Sequence, residues 1–128
     1  MAEKLEISTT TLWMDEEGFV WSTYKDGAIE TLESARAHFE AMERVATGIP
    51  RGVVIDIRRL KSATREARKF WAQNHGVATP CAVLVSGGVA SALGNFWLSV
   101  NRPGTPTKLF SSEAEAVEWL RTVVASQR

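Results

Sequence analysis

The chain has 128 residues, a length typical of one domain with its own hydrophobic core. Its formal net charge is zero, which argues against a dedicated nucleic-acid binder or membrane-surface protein. The single cysteine excludes an intrachain disulfide, and no apolar run reaches the roughly 18 residues of a transmembrane helix or resembles a signal peptide. We therefore expect one cytoplasmic domain over residues 1–128 that binds neither nucleic acid nor membranes.

The N-terminal third predicts an antiparallel hairpin followed by a helix. Apolar and polar residues alternate over residues 4–14, which predicts one strand, and "DEEG" turns the chain into a returning strand at Phe19–Tyr24. After a second turn, apolar residues recur at helical spacing from Leu32 to Ala46, with Thr31 as a plausible N-cap and "TGIP" as the stop.

The remainder alternates strands with helices. "GVVIDI" and "CAVLVS" are unbroken apolar runs of the kind found in strands that are covered on both faces. The predicted elements are strand Gly52–Ile57, helix Thr64–His75, strand Cys81–Ser86, a helix after Gly87-Gly88, strand Thr107–Phe110 and a last helix with Ser112 and Glu115 in a capping box. The order predicts an α/β fold in which the N-terminal antiparallel hairpin joins a mostly parallel sheet with about four helices.

The residue types that carry catalysis are sparse. His38 and His75 are isolated, so we expect ordinary histidines at the surface or at helix ends. Cys81 opens a buried strand, where inert packing is expected. We find no metal-ligand spacing, nucleophile elbow or phosphate-binding glycine motif. We therefore predict no catalytic residue, no metal and no cofactor.

Positive charge is concentrated in one segment. Residues 1–50 carry a net charge of −6, residues 51–75 carry +5 and the remainder carries +1. The basic segment starts with Arg58, Arg59 and Lys61, and Arg65 begins a helix, where the dipole already favours negative charge. This arrangement suits an anionic partner contacted by Arg58, Arg59, Lys61, Ser62, Thr64 and Arg65. The alternative is a solvated face neutralised by Glu66 and acids of the N-terminal half, which is the commoner case.

Two further features suggest contacts. Gly87 and Gly88 form a strand-to-helix turn that could cradle an anion, although close packing of the helix on the sheet needs glycine equally. "LGNFWLSV" is apolar nearly all round, which indicates a core helix or a homodimer contact through Phe96 and Trp97. The tryptophans Trp71 and Trp97 lie on apolar helical faces, whereas Trp13, Trp21 and Trp119 have no evident place; half-exposed tryptophan is favoured at interfaces.

The segments "VVIDIRRLKSATREARKFW", "ALGNFWLSVNRPGTPTKLF" and "SSEAEAVEWL" resemble an uncharacterised bacterial group within the SpoIIAA-like, or STAS (sulfate transporter and anti-sigma-factor antagonist), superfamily. The resemblance covers nearly the whole chain and is strongest from Val53 to Leu120. It implies a STAS-like fold, a mixed sheet with helices wound along it.

Anti-sigma-factor antagonists of this superfamily carry a motif close to "DSSG", with an acidic residue and a phosphorylatable serine. Thr64 and Arg65 occupy the corresponding positions here, so the motif is absent. The resemblance implies a regulatory module that binds a protein partner without this phosphorylation switch. The sparse catalytic residues favour a non-enzymatic role, and the apolar helix with Phe96 and Trp97 favours a homodimer. Lipid carriers of the CRAL-TRIO type, which the superfamily label also includes, enclose an apolar ligand. The alternative function is therefore a domain that binds a small ligand, lipid or nucleotide, in the apolar space between helices or at the Gly87-Gly88 turn.

Overall fold

The computed structural model describes residues 3–74, 76–87 and 106–127. In chain order the elements are β1 (Leu5–Glu6), β2 (Thr10–Met14), β3 (Val20–Tyr24), β4 (Ile29–Glu30), α1 (Leu32–Val45), β5 (Arg51–Asp56), β6 (Ser62–Ala63), α2 (Arg65–Gln73), β7 (Ala78–Leu84), β8 (Thr107–Phe110) and α3 (Glu113–Ser126).

The main sheet has six strands in the order β1-β2-β3-β5-β7-β8. β1, β2 and β3 pair antiparallel, and β3, β5, β7 and β8 pair parallel. The predicted α/β fold, with an N-terminal hairpin joined to a mostly parallel sheet, is confirmed. Three helices are described; the predicted helix after Gly88, with Phe96 and Trp97, lies outside the described residues.

The prediction of one strand over residues 4–14 is wrong. The chain reverses between β1 and β2, where the Ile7 N–H donates to the Thr10 carbonyl at 2.9 Å, and Leu5 then pairs with Leu12. Alternation continues through the reversal, because the residues on both sides of a tight turn still alternate between the two faces of the sheet. Sequence periodicity alone therefore does not reveal the turn.

Both faces of the central strands are buried, as their apolar runs predicted. Val53, Ile55 and Ile57 belong to the core beneath α1 and α2, whereas Val54 belongs to the opposite core beneath α3. None of the described helices combines the length and the hydropathy that a membrane span requires.

Side-chain oxygens cap each described helix at its predicted start. Thr31 Oγ1 accepts from the Ser34 N–H, and Ser34 returns the bond, so the first helix has a complete capping box. Thr64 Oγ1 accepts from the Ala67 N–H at 3.1 Å, and Ser112 Oγ accepts from the Glu115 N–H at 3.3 Å. These bonds satisfy amide groups that a helix start leaves unpaired.

A second, two-stranded sheet was not predicted. β4 and β6 pair parallel, with Ile29 opposite Ser62 and Glu30 opposite Ala63. Each strand has two residues, too few for periodicity to show. This small sheet ties the chain before α1 to the chain before α2.

Candidate functional site

The basic segment leaves the sheet at the carboxyl edge of the parallel strands. Arg58 and Arg59 follow β5, Gly87 follows β7, and Glu113 begins α3 just after β8. In α/β sheets this edge is where ligands usually bind, because the connecting loops converge there. The structure therefore brings the basic segment, Gly87 and the start of the last helix to the same edge of the sheet.

Arg58 is held by two carboxylates. Its Nε donates to Asp56 Oδ1 at 2.9 Å and its Nη2 to Asp56 Oδ2 at 2.7 Å, a bidentate geometry that Arg forms well. Nη2 also donates to Glu113 Oε2 at 3.0 Å. The hydrogen bonds that Arg58 donates to Asp56 are the main cause that raises the pKa of Arg58. The acids that neutralise Arg58 are thus Asp56 and Glu113, and not Glu66 or acids of the N-terminal half.

Arg59, Lys61 and Arg65 are exposed, and none of them forms an ion pair within residues 3–74, 76–87 and 106–127. The backbone that carries them is nevertheless fixed. The Arg59 carbonyl accepts from the Gly27 N–H at 3.0 Å, and the Lys61 N–H donates to the Ala28 carbonyl at 2.9 Å. The segment therefore presents unpaired cations on an ordered backbone.

The two hydroxyl residues of the basic segment have structural surroundings. Ser62 lies in β6, and Thr64 caps α2 while its own N–H donates to the Glu30 carbonyl at 2.9 Å. Of the remaining predicted contact residues, Gly87 is exposed with a positive φ of 46°. Gly88, Phe96 and Trp97 lie outside the described residues.

A buried polar cluster underlies the small sheet, and its histidine was expected at the surface. That expectation is wrong, because His38 is fully buried. Its Nδ1 lies 3.1 Å from Glu30 Oε2, and its Nε2 is hydrogen-bonded to Ser22 Oγ. The hydroxyls of Tyr24 and Ser34 also donate to Glu30. The spacing of His38 from Ala35 and Met42 on the apolar stripe of α1 is the sequence signal that predicts this burial.

The electrostatics of the cluster favour an ionised Glu30. Burial alone would raise the pKa of this carboxyl, but hydrogen bonds from His38, Ser34 and Tyr24 and the charge of His38 outweigh it, and the pKa is lowered. The pKa of Tyr24 is raised well above its usual value by burial and by the neighbouring carboxylate. Because an ionised carboxylate only accepts hydrogen bonds, His38 carries a proton on Nδ1.

Ser22, His38 and Glu30 follow the order of a nucleophile, a base and an orienting acid. Ser22 and His38 have no solvent exposure, and Glu30 has 1%. A substrate has no path to the hydroxyl in this conformation, so the cluster acts as a satisfied polar core. Cys81 is also buried, as predicted, and burial raises the pKa of its thiol to about 12.

A cleft of about 470 Å³ opens beside Arg58. Trp13 and Trp21 form one wall as a cross-strand pair with parallel rings, 5.9 Å apart between centroids. Both rings are half-buried, whereas Trp71 is in the core, as predicted. The full lining is Trp13, Trp21, Thr23, Asp56, Arg58, Arg59 and Glu113.

Other kinds of site find less support in the described part of the chain. No three metal-ligating side chains of residues 3–74, 76–87 and 106–127 come together. Ring contacts among Phe39, Phe70 and Trp71 occupy the space where α1 meets α2. The carboxyl edge beside β5 is therefore the best candidate for a site.

The fold is that of a SpoIIAA-like protein. A crystal structure described as an uncharacterised protein of the DUF3478 family with a SpoIIAA-like fold, from Shewanella loihica PV-4, superposes with a TM-score of 0.58. The alignment covers 94% of this chain and 92% of that chain at 15% sequence identity, so the similarity concerns the fold. The chain belongs to the family described as domain of unknown function DUF7793, whose model matches residues 12–124. No curated protein has significant sequence similarity to it.

Proposed function

We propose that this chain is a non-enzymatic regulatory module that presents the segment from Arg58 to Arg65 to an acidic surface of a protein partner. The observation that carries the proposal is the set of exposed cations Arg59, Lys61 and Arg65, which have no ion pair among the described residues. Their charge is available to a partner without first breaking an internal contact.

The ordered backbone supports this role. Binding by a mobile loop loses conformational entropy, and a loop that is already ordered avoids much of that cost. The bonds from Gly27 to the Arg59 carbonyl and from Lys61 to the Ala28 carbonyl hold the segment in shape before any partner arrives. Charge complementarity then accelerates encounter and selects acidic partners over basic ones.

Phosphorylation of Thr64 is not part of the proposed mechanism. Its Oγ1 accepts from the Ala67 N–H and so caps α2, and the acidic-serine motif of anti-sigma-factor antagonists is missing around it. We propose instead that the fixed positive charge is the recognition signal.

We also propose that the module acts as a cytoplasmic homodimer that uses Phe96 and Trp97.

The test is a charge reversal in the host cell. The variant Arg59→Glu/Lys61→Glu/Arg65→Glu is compared with the matched variant Arg36→Glu/Arg44→Glu/Arg68→Glu, which reverses the same number of exposed cations on α1 and α2. Proteins crosslinked to each variant are identified by mass spectrometry. A protein that is retained by wild type and the matched variant and lost by the loop variant supports the proposal.

Two results would overturn it. One is equal capture of each partner by the loop variant and the matched variant. The other is a bound small molecule, detected as extra mass by native mass spectrometry and removed by denaturation, together with partner capture that does not depend on the loop charges. The latter would favour the ligand-binding alternative.

A further inference from the structure

The cleft beside Arg58 combines an aromatic wall with an arginine held in a fixed orientation. Trp21 and Thr23 of β3 pair with Val54 and Asp56 of β5. Their side chains therefore lie on one face of the sheet, since alternate residues of a strand share a face. The Asp56 side chain extends this row, and Arg58 lies against it.

The two carboxylates bond to only some of the donor nitrogens of the Arg58 guanidinium. Asp56 engages Nε and Nη2 and also accepts from the Arg58 backbone N–H at 3.0 Å, so it fixes the plane of the guanidinium. Among the described residues no acceptor is bonded to Nη1. Glu113 makes one bond, to Nη2, and its side chain remains 56% exposed. Asp56 thus orients the arginine, while Glu113, which accepts one bond and is more than half exposed, is the easier of the two carboxylates to displace.

We propose that the cleft is a docking site for a carboxylate-bearing segment of a protein partner, and that Glu113 occupies the position of that carboxylate in the free protein. The charges support this assignment. The charges of Asp56 and Arg58 cancel. When the Glu113 side chain moves away, the unpaired Arg59 therefore gives the cleft one net positive charge. One incoming carboxylate restores neutrality and recovers the bond that Glu113 gave up.

The aromatic wall defines the neighbour of that carboxylate. Trp13 stacks on Trp21, and Lys4 lies over the Trp13 ring at 4.7 Å. The Trp21 indole N–H donates to Asp15 at 2.9 Å, which fixes that ring in place. A rigid, half-buried aromatic surface favours an apolar or aromatic side chain. The expected ligand is therefore an acidic residue followed or preceded by such a side chain.

Glu113→Gln tests the exchange. The variant keeps the shape of the side chain and removes the charge that competes for Arg58. Glu115→Gln is the matched control, because Glu115 is exposed in the same first turn of α3 and loses the same charge. The probes are a synthetic peptide of alternating glutamate and phenylalanine and its counterpart with glutamine in place of glutamate. Binding is followed through the indole N–H resonances of the protein.

The expected result is that the acidic peptide shifts the indole resonances of Trp13 and Trp21. Glu113→Gln should bind it about three- to sixfold more tightly than wild type, the gain from removing a competing surface ion pair. Glu115→Gln should bind with an affinity within about twofold of wild type, because removing this charge changes only the long-range electrostatic potential at the cleft. Absence of any shift, equal binding of the glutamine peptide, or equal gains in the two variants would overturn the inference.

The inference rests on the proposed function but can fail separately from it. If the peptide does not bind while charge reversal at Arg59, Lys61 and Arg65 still abolishes partner capture, the exposed loop is the docking surface and the cleft is not. If the peptide binds and Glu113→Gln tightens it while reversal of Lys61 and Arg65, which do not line the cleft, leaves capture unchanged, the cleft is supported and the loop proposal is lost.

Discussion

The Glu30 carboxylate lies 3.1 Å from Nδ1 of His38, in a part of the protein where neither side chain exceeds 1% exposure. Glu30 belongs to the two-residue strand β4 and His38 to α1, so the contact fixes the small sheet to the first helix. The same carboxylate also accepts from Tyr24 and Ser34. A buried carboxylate with this many donors couples the geometry of several elements.

Replacement of Glu30 by Gln should destabilise the protein by about 2–4 kcal/mol, because a neutral amide leaves at least one buried donor facing another donor. Urea unfolding followed by tryptophan fluorescence measures the change. Glu40→Gln on the exposed side of α1 is the control, and it should change the free energy of unfolding by less than about 0.5 kcal/mol. Equal effects of the two substitutions would contradict the role assigned to Glu30.

Acid should remove the contribution of Glu30. The pKa of this carboxyl is lower in the folded protein than its usual value of 4.5, so its stabilisation is present in full above that pH and is lost as the pH falls through the folded-state pKa. The difference in unfolding free energy between wild type and Glu30→Gln should therefore shrink below about pH 4.5. A difference that stays constant with pH would show that folding does not lower the pKa of Glu30.

Alkali should act through Tyr24, the single tyrosine of the chain. Its pKa is raised well above 10.0 by burial and by Glu30. The protonated Tyr24 hydroxyl therefore stabilises the fold in full below pH 10.0, and this stabilisation is lost as the pH rises towards the folded-state pKa. Tyrosinate absorbance at alkaline pH should appear together with the loss of far-ultraviolet circular dichroism. Ionisation near pH 10.0 without any loss of structure would contradict the buried position of the ring.

The cap at Thr64 should contribute about 1 kcal/mol to stability, since its Oγ1 satisfies the Ala67 N–H at the start of α2. Thr64→Ala should lose this contribution and Thr64→Ser should keep most of it. Urea unfolding of the two variants gives the comparison. If the alanine and serine variants have the same stability, the hydroxyl bond is not what starts the helix.

Cys81 offers a probe of opening, because it is the single cysteine and its thiol pKa is raised to about 12 by burial. In the folded protein at neutral pH, a disulfide reagent should label it only as fast as the surrounding strand opens. Labelling should accelerate in urea in parallel with unfolding. Fast labelling without denaturant would place the thiol at the surface.

Local patterns predicted most of the framework. The apolar runs of β5 and β7, the helix starts at Thr31, Thr64 and Ser112 and the apolar face of α2 that carries Trp71 are all confirmed, because burial and capping leave signals within a few residues. What the sequence concealed depends on long-range contacts. The bond from Arg58 to Glu113 joins residues 55 positions apart, and the cluster around His38 draws on β3, β4 and α1.

Glu30 shows why such a site escapes sequence analysis. It lies in a strand too short to have a period, directly before an N-cap, in a position where an acidic residue ordinarily indicates solvent. Its burial is explained by its hydrogen-bond donors, which Thr9, Tyr24, Ser34 and His38 contribute. Those donors come together only after the chain has folded.

Backbone bonds around the small sheet of β4 and β6 hold the conformation of the basic segment, and its exposed side chains do not contribute to them. The bonds that hold it, from Gly27 to Arg59, from Lys61 to Ala28 and from Thr64 to Glu30, run between backbone atoms. Exchange of the exposed side chains at positions 59 and 61 therefore leaves the frame intact. This edge of the fold is a natural grafting point, where recognition can be rewritten by engineering while the core beneath it keeps its sequence.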